Sequence, residues 1–154
     1  MQQQKLTVQE IKNGKGLQKS FYIYTLSLAS LAAGATNSDL VNIENDSQFV
    51  WVKTSIFADI AGAVQTDDSR VLPLINIQLT DSGSARQFFD EPQPVGNFAG
   101  SGQLPQILPA PFIFSNNANI NASFTNFSAA TTYANIKLSL IGFRVYQFGN
   151  TFQG

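Results

Sequence analysis

Two residue types are missing altogether: the 154-residue chain has neither cysteine nor histidine. No disulfide framework, thiolate nucleophile, Ser-His-Asp triad or zinc site of the common types can be assembled without them. Charge is also scarce, at 12% of residues where a typical soluble domain carries about 25%. Nine Lys and Arg against ten Asp and Glu leave a net charge of −1 with no basic block. That balance excludes a grip on nucleic acid, which rests on neutralising phosphates, and electrostatic membrane binding. No apolar run reaches the roughly 18 residues of a membrane-spanning helix. The opening Met1-Gln2-Gln3-Gln4-Lys5 lacks the charged-then-apolar layout of a secretion signal, so synthesis in the cytoplasm without export is expected.

Amides and hydroxyls replace the missing charge. There are 13 Asn and 14 Gln, more than the 19 charged residues together, and 24 Ser and Thr. Amides desolvate more cheaply than ions, so such a surface suits a protein whose outside becomes the inside of an assembly. Hydrophobic residues make up 44%, an ordinary globular share, and the length allows one domain with one core.

The chain divides into an arm, a body and a tail. Residues 1–18 mix Gln, Lys and Gly around Leu6, Val8, Ile11 and Leu17. Ordering them costs on the order of 1 kcal/mol each in backbone entropy, which four scattered apolar side chains barely offset. The arm is expected to become fixed only against a partner. From residue 19 to 146 the pattern is β throughout, with no βαβ alternation. Residues 21–31 place Tyr22, Tyr24, Leu26 and Leu28 on one face, and Gly34 follows as a stop. A short strand over 39–43 ends at the turn Asn45-Asp46. Residues 48–57 set Phe49 and Trp51 against Val50, Val52 and Ile56, apolar on both faces, as in a central strand. Val71, Ile75, Ile77 and Leu79 share a face before the turn Asp81-Ser82-Gly83-Ser84. Residues 90–111 hold five of the six prolines and read as one long loop. Strands over 112–115 and 120–124 follow. Ala134, Ile136, Leu138 and Leu140 then alternate until the phase slips at Ile141-Gly142, the signature of a β-bulge. About eight strands with turn clusters between them indicate an all-β sandwich.

Several groups invite a chemical label. Asp67-Asp68 with Asp59 is a conceivable carboxylate pair or calcium loop, but the run 65–70 reads as a turn in which Arg70 screens the acids. Gly14-Lys15-Gly16 and Gly100-Ser101-Gly102 are too short to cradle phosphate. Three Asn-x-Ser sequons (Asn45, Asn121, Asn126) have no export signal to give them meaning. Trp51 with Phe49, and Tyr22 with Tyr24, match either a sugar-stacking groove or ordinary core. Phe88-Phe89 reads as an anchor for the long loop or a contact knob. In residues 147–154 the uncharged tail carries Phe148 and Phe152, to fold over a sheet edge or to dock on another subunit. No catalytic constellation stands out, so the expectation is a non-enzyme without cofactor or metal.

Residues 48–59 (QFVWVKTSIFAD) leading into 60–63 (IAGA), then 71–84 (VLPLINIQLTDSGS), 104–111 (LPQILPAP), 118–133 and 136–143, taken together and in this order, resemble the small jelly-roll cement, or head decoration, proteins of tailed bacteriophages. The similarity covers residues 20–146 and rests on phrasing and order rather than on a diagnostic motif. The arm and the segment after Tyr146 have no counterpart in it. The resemblance implies a single jelly-roll sandwich and a structural virion protein made in the host cytoplasm. It further implies a homo-oligomer, dimer or trimer, that binds the outside of the capsid and bridges neighbouring major capsid protein subunits. On that expectation the partner-binding residues are Leu6, Val8 and Ile11 in the arm and Phe148 and Phe152 in the tail. Two other classes remain open. One is a carbohydrate-binding or host-attachment spike or vertex module, and the other an envelope-degrading hydrolase.

Overall fold

The computed structural model describes residues 17–62 and 72–147. Strand β1 (Leu17–Leu31) pairs antiparallel with β9 (Tyr133–Gln147) over its whole length, from Leu17↔Gln147 to Leu31↔Tyr133. On the other side of β9 lies β3 (Ser47–Ile60), and beyond β3 the edge strand β7 (Gln106–Phe114). The opposing sheet runs β2 (Thr36–Asn42), β8 (Asn119–Asn126), β4 (Ile75–Asp81). Its far edge is shared by two short pieces that both pair with β4, β5 (Arg86–Gln87) and β6 (Gln93–Pro94). The orders β1-β9-β3-β7 and β2-β8-β4-β5 come from a chain that passes repeatedly between two antiparallel sheets, which is the winding of a jelly roll. The all-β sandwich read from the sequence is the fold. Among the described residues the one helical element is a 3₁₀ turn, Val95–Asn97.

Period-2 alternation explains the layers. Tyr24, Leu26 and Leu28 of β1 face Ile75, Ile77 and Leu79 of β4 and Ile120, Ala122 and Phe124 of β8 across one core, all buried. Aromatic rings fill one end of it. Tyr24 meets Phe49 edge-on at 4.8 Å, Phe49 stacks on Phe114 at 6.2 Å, and Phe88 packs against Trp51 and Phe112 at 5.5 and 4.7 Å. Phe88 and Phe89 are therefore anchors of their loop, Phe89 against Phe98.

Three local readings change. The expected slip in β9 does not occur: β9 keeps one register with β1, and Ile136, Leu138, Leu140 and Arg144 all point inward. The extra residue is on β3, where the pairing steps from Trp51↔Gly142 to Lys53↔Ile141 and Val52 has no opposite number. That step turns Thr54, Ile56 and Ala58 inward and separates Ile56 from the face of Val50. Gly142 is needed here, because a Cβ on it would lie 1.8 Å from the Val50 carbonyl oxygen. A second irregularity puts the extra residue on β9 opposite the Phe57–Asp59 step, at Asn135 with φ of 51°. Finally, the proline-rich stretch is not all loop. β7 pairs with β3 at Gln106 and Ile107 and again from Phe112, while Leu108 to Pro111 arch away between them. An edge strand tolerates that arch because no second neighbour needs the N–H groups the prolines lack.

Candidate functional site

Outward-facing side chains of the β1-β9-β3-β7 sheet align in register across all four strands. Phe21, Phe143, Val50 and Ile113 form one row, and Ile23, Ile141, Lys53 and Ile107 the next. Phe21 is 72% exposed, Ile107 61%, Ile113 56% and Ile23 40%. Val50 is covered by its neighbours in the row and is not part of the interior core. Lys19, in the row before, carries its ammonium 5.3 Å from the centre of the Phe143 ring. Beyond the second row the face changes character to Thr25, Ser139 and Ser55, followed by Ser27, Lys137 and Phe57. The apolar half is the half nearest Leu17 and Gln147, which are themselves paired, so residues 1–16 and 148–154 both attach at one corner of it. The five contact residues expected from the sequence, Leu6, Val8, Ile11, Phe148 and Phe152, lie outside the described residues.

The sequence carried a signal for this face. Phe21 and Ile23 are apolar between inward tyrosines, and Ile141, Phe143 and Val145 are apolar at alternate positions. The second set marks a change in which face is apolar, without a break in register with β1: β9 is apolar inward through Leu140 and apolar outward from Ile141 to Val145, where the inward positions are Gly142 and Arg144.

Beneath one end of the face lies the densest cluster of charge. Arg144 reaches inward from β9 and is nearly buried, and its Nη2 donates to Glu44 Oε2 at 2.6 Å and Asp46 Oδ1 at 2.8 Å. Its Nε donates to Ser47 Oγ at 2.9 Å, and the rings of Tyr22 and Tyr146 lie 4.8 and 5.1 Å from the guanidinium. Burial alone would lower the Arg144 pKa, but the Glu44 hydrogen bond and the nearby Tyr146 and Glu44 charges raise it above its ordinary value. Both carboxylates are thus engaged by one guanidinium that ties the β2–β3 turn to β9, which is structural work. Tyr24 is raised in pKa by burial, partly opposed by the Glu44 N–H its hydroxyl accepts at 3.4 Å.

The other candidates resolve into structure. Trp51 is buried, and its indole N–H is shared by the Lys53 carbonyl and Thr54 Oγ1, both at 3.0 Å. Phe49 is fully buried beside it, so neither ring is offered to a sugar. Asp59 is buried and accepts from Asn135 Nδ2 at 3.1 Å; Asp67 and Asp68 lie outside the described residues. Gly100 bridges to β3 through its own backbone, accepting from Ile56 N–H at 2.8 Å and donating to the Thr54 carbonyl at 3.1 Å. A cleft of about 660 Å³ between β3 and the 96–103 loop is lined by Ile56, Phe57, Ala58, Leu72, Ala99, three glycines, Ser101 and Gln103, none of them titratable. Among the described residues no three His, Cys, Asp or Glu side chains gather as a metal site.

The outer face of the second sheet is uncharged and, apart from Leu40, polar, and its β4 side is covered: Gln78 Nε2 donates to the Phe89 carbonyl at 3.0 Å, and Asn76 Oδ1 and Gln78 Oε1 are buried. Thr36, Thr125 and Asn76 align in one row, Ser38, Ser123 and Gln78 in the next, then Leu40, Asn121 and Thr80. The Thr36 and Thr125 hydroxyls are hydrogen-bonded at 2.9 Å. The two outer faces therefore differ sharply, one apolar with lysines and one of amides and hydroxyls. No family model matches this chain, and no curated protein does.

Proposed function

We propose that the protein is a non-enzymatic structural component of a phage virion that docks on the outside of the capsid and cements neighbouring major capsid protein subunits. The observation that carries this reading is the apolar half-face of the β1-β9-β3-β7 sheet, with both ends of the sandwich domain attached at its corner. The sequence resemblance to phage head decoration proteins supplies the partner. Strand spacing of about 4.8 Å and a rise of about 3.4 Å per residue make the patch about 15 Å on a side, roughly 200 Å². A stable specific interface needs about 800 Å² per partner. The face therefore serves as the centre of a larger contact, to which the terminal segments, with Leu6, Val8 and Ile11 at one end and Phe148 and Phe152 at the other, add area. Repetition of the contact in a homo-oligomer, dimer or trimer, supplies avidity.

The test is co-sedimentation of the full chain with expanded heads that lack it. Saturable binding at a high, symmetry-related copy number is expected. Phe21→Ser with Phe143→Ser should abolish it while leaving the circular dichroism spectrum unchanged. Absence of binding, or binding of about a dozen copies, would overturn the cement reading in favour of a vertex or attachment module. One observation favours such a second reading: the amides and hydroxyls of the outer face of β2 and β8 suit hydrogen bonding to an uncharged glycan. Glycan-array binding lost in Asn121→Ala with Ser123→Ala would establish it.

A further inference from the structure

The charge on the apolar face is of one sign. Lys19 on β1, Lys53 on β3 and Lys137 on β9 all point outward, while β1, β7 and β9 contain no acidic residue. The single carboxylate of the four strands, Asp59, is buried at the far end beside Asn135. Arg144, the fourth cation, points inward to Glu44 and Asp46 and does not contribute to the face. The remaining acids of the described residues are elsewhere: Asp39 accepts from the Ser27 N–H at the β1 edge, Asp81 organises the turn after β4, and Asp90 and Glu91 lie in the loop beyond β5. A chain of net charge −1 thus presents a face of three positive charges and apolar rows.

That asymmetry decides between occupants. Two copies meeting face to face would set lysine against lysine in a desolvating contact, which like charges oppose. The tail 148–154 of another copy brings Phe148 and Phe152 but no charged side chain, so it could not compensate three separate ammonium groups. We infer that the face docks on a different chain, whose surface is largely apolar and bears carboxylates facing Lys53 within the second row and Lys19 and Lys137 on either side of the patch. This rests on the capsid-binding reading and specifies the chemistry of the capsid surface.

The experiment compares three full-length proteins on expanded heads lacking the protein: wild type, Phe21→Ser/Phe143→Ser, and Lys19→Gln/Lys53→Gln/Lys137→Gln. Binding is measured by co-sedimentation from low to high salt, with thermal melts as folding control. The lysine variant is expected to melt like wild type, to bind about tenfold more weakly at low salt as three ion pairs are lost, and to show a shallower salt dependence. If it binds like wild type with the same salt dependence while the phenylalanine variant does not bind, the acidic partner is refuted and the docking face stands. If neither variant differs from wild type, or wild type does not bind, the docking reading falls and the inference with it. Sedimentation equilibrium closes the remaining route: a dimer of the wild type that the phenylalanine variant dissociates would make a second copy the occupant and overturn the inference.

Discussion

Gly142, Asn126 and Tyr24 each show a single atom deciding a local outcome. A methyl group at 142 meets the Val50 carbonyl at 1.8 Å, and backbone cannot yield as a flexible side chain would. Gly142→Ala should cost at least about 3 kcal/mol in a urea melt, whereas Gly102→Ala, with nothing within 4 Å of the new carbon, should be neutral within about 0.5 kcal/mol. Asn126 is buried and donates to the carbonyls of Leu31 and Thr131 at 3.0 and 2.8 Å while accepting from Ser128 N–H and Oγ. It ties the end of β8 to the end of β1, which leaves it no access to glycosylation in the fold. Asn126→Ala strands buried carbonyls and should cost about 3 kcal/mol. Tyr24 has its pKa raised above 10.0 by burial, so folding favours the neutral phenol. Its contribution is fully present below pH 10 and is lost as pH rises through the higher folded value. Tyr24→Phe should therefore flatten the alkaline fall in the unfolding midpoint and change little at pH 7. A fall equally steep in the variant would assign the alkaline loss to other groups.

Among the elements, β3 and β7 show how an irregularity is placed. Val52 is the residue without an opposite number, and removing it leaves Trp51 inward, Lys53 outward and Thr54 inward. Deletion of Val52 should therefore give a folded protein with a cooperative transition, followed by Trp51 fluorescence. Deletion of Ser55 moves Ile56 and Ala58 to the outer face and should abolish that transition, since a one-residue slip inverts every following side chain. In β7 the arch leaves Pro109 and Pro111 exposed and outside the paired segments. Pro109→Ala should cost only about 0.5 kcal/mol, through the greater freedom of the unfolded chain. The strands of the core were legible beforehand because burial on one face writes a period of 2 into the sequence. The first residues of β7 were not, because proline reports the absence of an N–H and not whether an edge strand needs one. The bulge was assigned to the wrong strand for a related reason: Gly142 marks a close approach, and the chain that approaches is known only from the pairing.

For the molecule as a whole, the contrast between faces matters most. One sheet turns rows of amide and hydroxyl outward and the other turns out phenylalanine, isoleucine and lysine. The Phe21→Ser/Phe143→Ser variant should separate docking from folding, since both rings are on the surface side of the sheet. An unfolded variant would return them to a structural role. Sequence alone was enough for the all-β class, the single core, most turns and the exclusion of cysteine and histidine chemistry, because composition and alternation are local properties. It left the paired tyrosines, the phenylalanines and Trp51 each with two readings, because a side chain's period gives its face but not what covers that face. Only the tertiary structure put Phe21 beside Phe143, Val50 and Ile113, four residues from four strands whose meeting depends on register. Register is set by long-range pairing and by one unpaired valine, and neither is written in any window of the chain.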